Sequence, residues 1–169
     1  MPAAHSLLDA VEDMERSVQG LTPEEVWLTP GGAPSIGFHL KHVPGSLERL
    51  LAYTRGQALT PGQLAAIPLE GEPGDPPAGP DELLDALRDA RDRTLDAYRA
   101  TDPASLLEPR VVGRSGLPST VQGLLFHAAE HARRHAGQVV ATARIVQGLG
   151  PWSDGVPGGG ARGGTDPTR

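Results

Sequence analysis

The chain has 169 residues, enough for a domain with a real core. Hydrophobic residues make up 38%, and its 17 Pro and 22 Gly gather in linkers and toward the C-terminus. Its formal net charge of −6 comes with no basic stripe, which excludes the usual footprint of a nucleic-acid or anionic-membrane partner. There is no cysteine, so disulfides, thiolate metal ligands and a nucleophilic thiol of the chain's own are all ruled out.

The N-terminus lacks a basic segment ahead of an apolar run, and no apolar run approaches the ~20 residues of a membrane span. A cytoplasmic protein is expected. Residues 6 to 20 carry Leu7, Leu8, Val11, Met14 and Val18 at helical spacing, which predicts an amphipathic helix with Ser6 as its N-cap. Thr22-Pro23-Glu24-Glu25 has the form of a capping box and opens a short helical turn bearing Val26 and Trp27, with a loop to follow. Ser35 opens a second long helix, running through Ile36, Leu40, Val43, Leu47 and Leu50 to about Tyr53. Pro44-Gly45 falls in its middle. The apolar period continues on both sides, so a kink rather than a break is expected.

Residues 56 to 80 read as a long crossover with a helical turn near Pro61 to Ala66. Pro80-Asp81-Glu82 begins a third helix on Leu83, Leu84, Leu87, Ala90, Leu95 and Tyr98, with a mixed-sign solvated face. Residues 103 to 118 make a second irregular connection holding Val111-Val112, either a docked extended segment or a marginal hairpin. Ser119-Thr-Val-Gln122 has the capping-box form, and a fourth helix runs from it to about Gln147, with Ile145 among its apolar residues. The fold class is therefore all-α: a four-helix bundle with long crossover connections over residues 1–151, then a flexible Gly/Pro-rich tail over residues 152–169.

The chemistry concentrates in the fourth helix. His127, His131 and His135 stand four residues apart, and each step of four turns the helix by only ~40°, so the rings share a face. His131 and His135 have the two-ligand spacing of helical metal sites, and neutral imidazoles suit zinc, nickel, copper or iron. The second helix offers His39 and His42. Of these His42, beside Leu and Val, is the better inward candidate, and His39 falls between the helix surface and the inner rim. One of them would complete a three-histidine site with open positions for water or substrate. Glu130 reads as a base, a supporting residue or an exposed partner of a helix-face Arg. His127-Ala-Ala-Glu-His131 also matches H-x-x-E-H, but no Glu follows Glu130 to serve as the downstream ligand of that protease pattern. A carboxylate-bridged di-iron bundle is excluded because no Glu has a His three residues on.

Three stretches carry a family resemblance: Ser35-Ile-Gly-Phe-His-Leu-Lys-His42-Val-Pro-Gly-Ser46, Ser119-Thr-Val-Gln-Gly-Leu-Leu-Phe-His127, and His131-Ala-Arg-Arg-His135-Ala-Gly-Gln138. Together the chain resembles the DinB/YfiT-like metal-binding bundles across nearly all of residues 6 to 148. The resemblance implies a mononuclear divalent metal, zinc or nickel, held by His42, His131 and His135, with His127 outside the ligand set. It also implies a homodimer acting on a small molecule. The activity implied is transfer of a low-molecular-weight thiol, of bacillithiol or mycothiol type, to an electrophile. Hydrolysis by metal-bound hydroxide and a non-catalytic, metal-binding stress role are the alternatives. Pro44 and Ala136 depart from the family's pattern.

Overall fold

The structure is a computed structural model that describes residues 1–113 and 115–148. The tail expected over 152–169 lies outside the described residues. Four long helices form the bundle: α1 (Pro2–Ser17), α3 (Ile36–Thr54), α5 (Pro80–Ala100) and α6 (Val121–Gly148). Two short helices, α2 (Pro23–Val26) and α4 (Pro61–Ala66), sit in the connections. A two-stranded antiparallel hairpin, β1 (Pro109–Val112) and β2 (Leu117–Thr120), precedes α6. Among the described residues no helix is long and apolar enough to cross a membrane.

The long helices pack as a ring in which α1 and α3 each lie against both α5 and α6. The enclosed space takes the periodic apolar residues that the sequence places on each helix, among them Leu7, Val11, Met14, Leu40, Leu47, Leu87, Leu124 and Leu125. Tyr98 on α5 reaches across to α6 and donates its hydroxyl to the Leu125 carbonyl at 2.7 Å. Burial drives its phenol pKa up to about 12, so the hydroxyl keeps the proton that it donates.

Local signals explain most boundaries. Thr22 and Thr60 each form a reciprocal capping box, with Glu25 and Gln63 respectively, and each is followed by a Pro that suits the first helical turn. Ser35 caps α3 by accepting from the Phe38 amide. Helix α3 continues unbroken through Pro44, as the apolar period demands.

Three expectations need correction. Helix α1 begins at Pro2 rather than at Ser6, because Pro at the first turn followed by Ala3-Ala4 already favours helix. Ser119 pairs with Arg110 in the hairpin, and the α6 cap is Thr120, whose hydroxyl accepts from the Gly123 amide at 3.0 Å. The two preceding donors of that helix end, Val121 and Gln122, bond to the carbonyls of Glu108 and Leu106. Ile145 is 51% exposed, and the core at that end of α6 is filled by Thr142, Ala143 and Val146.

Candidate metal centre

Helices α3 and α6 lie side by side, and their histidines meet between them. His42, His131 and His135 each offer one ring nitrogen, and the three nitrogens all lie within 4.8 Å of one another. His42 Nε2 and His131 Nε2 are 2.9 Å apart. The rings stand at steep angles, with centroids 4.6 Å apart for His42 and His135 and 4.5 Å for His131 and His135. Phe38, one turn before His42, stacks on its ring with an interplanar angle of 18°.

Two further side chains govern these rings. His39 is only 2% exposed, so it belongs wholly to the interior, and its Nδ1 lies 2.9 Å from Nδ1 of His135. The i, i+3 spacing of His39 and His42 keeps both on the buried side of α3. The second is Glu70, in the 3-10 turn Ile67–Gly71 that follows α4. Its carboxylate is 6% exposed, and it lies 2.7 Å from His42 Nδ1 and 2.7 Å from Arg49 Nη1.

A carboxylate only accepts, so His42 donates from Nδ1 and turns the lone pair of Nε2 toward the other rings. The proton between His42 and His131 then belongs to His131. A bound cation would take that proton's place.

No periodicity marks Glu70, and it was not among the residues singled out above. A trace of it does exist in α3. A Cβ built on Gly45 would lie 2.7 Å from Glu70 Oε1 and 2.9 Å from Arg49 Nη1. The mid-helix glycine therefore lies beneath the ion pair between Arg49 of α3 and Glu70 of the distant crossover, and a side chain there would displace the ends of both.

The electrostatics keep His39, His131 and His135 neutral. Burial, reinforced by the neighbouring rings, lowers the pKa values of His39, His131 and His135 to about 4. Neutral rings present the lone pairs a cation needs. A zinc-like ion with bonds of about 2.0–2.1 Å would space its nitrogens roughly 3.3 Å apart. That separation lies between the 2.9 Å contact and the 4.8 Å limit of the set. The donor set thus fits a divalent ion of borderline softness.

His127 does not join the cluster. It is half-exposed at the rim, 3.4 Å from Glu130. Glu130 faces outward and is clasped by Arg134 at 2.6 and 2.7 Å, which holds its carboxyl below the usual range. Arg133 pairs with Asp13 of α1.

The rings open onto a cavity of about 290 Å³ bordered by His42, His131, Arg49, Leu50, Leu64 and Ile67, among others. One wall is thus supplied by the first crossover. Tyr53 and Gly113 also border a second cavity, of about 520 Å³, alongside the hairpin.

Comparison with known proteins agrees with this picture. The family model of the DinB superfamily matches residues 6–139, a span that contains all three clustered rings. The fold is similar to that in the crystal structure of a conserved protein from Enterococcus faecalis. The TM-score is 0.68 at 22% identity, over 86% of this chain and 95% of that one. No curated protein matches significantly.

Proposed function

The chain belongs to the DinB superfamily, and on that premise we propose that it holds a divalent metal on His42, His131 and His135 and acts as a metal-dependent enzyme on a small molecule. The observation that carries the reading is the meeting of three ring nitrogens beside a cavity. A cation there would make a bound thiol or water more acidic. Among these we favour an external thiol of low molecular weight, as the family resemblance suggests; the nucleophile would come from the cosubstrate because the chain has no cysteine. Zinc or nickel suits the all-imidazole set.

The chain's own groups have distinct tasks under this reading. Glu70 keeps the His42 proton on Nδ1. His39 engages Nδ1 of His135, leaving the other ring nitrogen for the centre. Leu50, Leu64 and Ile67 present an apolar wall that limits water around an electrophile. Glu130 is turned away toward Arg134, so a hydrolytic reaction could not recruit it as a base without breaking that pair. We take the working state to be a homodimer in the cytoplasm, on the resemblance alone.

Metal analysis of the purified chain tests the site. One equivalent of metal is expected in the parent and none in His42→Ala or His131→Ala. Retention by both variants would overturn the ligand set. Conjugation of a thiol to monochlorobimane then tests the activity. Turnover that needs both thiol and metal supports the transferase, and its absence across the common bacterial thiols leaves the metal-dependent hydrolase and the non-catalytic metal binder.

A further inference from the structure

We propose that Glu70 is a positioning residue of the metal centre, and that Gly45 exists to give it room. The inference rests on the metal reading above and extends it from the three rings to the crossover. A carboxylate buried to 6% exposure must be paired, and both partners of Glu70 stand on α3, about two turns apart: His42 at 2.7 Å and Arg49 at 2.7 Å. The Arg49 guanidinium holds one oxygen, so the other is aimed at His42 Nδ1. That contact sets both the tautomer and the rotation of the ring, and hence the direction of Nε2.

The arrangement also ties two structures together. Glu70 lies directly after α4 and Ile67, which wall the cavity, so the same side chain that orients a ligand pins the wall. Lys41 adds a second tie by donating from Nζ to the Glu72 carbonyl at 2.7 Å. Metal binding and docking of the crossover are therefore linked, and by reciprocity each favours the other.

The test is zinc affinity of the full metal-free chain, measured by competition with a chromophoric chelator. Folding of each variant is checked by circular dichroism. Glu70→Ala is expected to weaken zinc binding about 10–100-fold. Glu70→Gln, which keeps an acceptor oxygen at the same reach, is expected to recover most of that loss. Gly45→Ala retains the carboxylate but fills its seat, so it should lose affinity in the same direction and carry the test if Glu70→Ala does not fold. The double variant should be no weaker than Glu70→Ala alone, because both changes act through one contact.

Hydrogen exchange gives a second readout. Zinc should slow exchange across residues 60–72 in the parent and leave it unchanged in Glu70→Ala. Binding by Glu70→Ala and Gly45→Ala within about twofold of the parent, with His131→Ala still abolishing it, would overturn the role of Glu70 alone. Equal zinc binding by the parent and His131→Ala would instead overturn the metal reading beneath it.

Discussion

Leu40, Leu47, Leu124 and Leu125 share the helices α3 and α6 with His39, His42, His131 and His135, yet the two groups are kept in place by different forces. The leucines are at most 1% exposed and are held by removal of apolar surface from water, a force without direction. The imidazoles are held by hydrogen bonds with a required geometry, His39 to His135, His42 to His131 and His42 to Glu70. The aliphatic part stabilises the bundle with or without a ligand. In the imidazole part, polar rings are withdrawn from water and nitrogens crowded together, an arrangement that costs stability until a ligand uses it.

The largest break in this contrast comes from Leu47→Ala. Removing the buried side chain should cost about 2–5 kcal/mol of stability, seen as a lower urea midpoint, while the zinc affinity of the folded fraction stays near the parent's.

Acid sharpens the same contrast by acting on the rings and not on the leucines. In the folded, metal-free chain His39, His131 and His135 have pKa values of about 4 against 6.5 for a free ring. Between those values the unfolded chain binds more protons than the folded one, so stability falls as pH drops from about 6.5 toward 4. Their contribution is complete above that window and has gone below it. Urea midpoints measured at several pH values across it should therefore decline with acid, and His39→Leu should flatten the decline. A slope equal to the parent's in that variant would contradict the assignment. The smallest effect is expected at Glu130. Its exposed pair with Arg134 is worth about half a kcal/mol or less, so Glu130→Gln should leave both urea midpoint and zinc affinity nearly unchanged.

What could be read in advance follows the same division. The four long helices were legible because burial on one face imposes a period on the sequence, and the first short helix announced itself through the Thr22-Pro23 capping box. Histidines at steps of four, with His42 opposite, pointed to rings that the structure does bring together. Glu70 was not legible. It lies on a segment with no apolar period, and nothing local says that residue 70 returns to residue 42. Only Gly45, costly in a helix interior by roughly 1 kcal/mol relative to Ala, hinted that something approaches α3 there. Thr120 was passed over for Ser119 because strand pairing, which takes Ser119 opposite Arg110, is not visible in a capping pattern.

Trp27 adds an optical consequence. Its indole lies over Gly37, where even a Cβ would come within 2.6 Å of the ring, and its Nε1 donates to the Ala78 carbonyl at 2.9 Å. Ala78 is where the crossover that carries Glu70 returns to the bundle. Undocking of that end frees the indole into water and shifts its emission to the red. With Trp152, the chain's second tryptophan, replaced by Phe, the protein carries its own fluorophore where the crossover meets α5. Attachment of the crossover can then be followed by light alone, in real time and without a label.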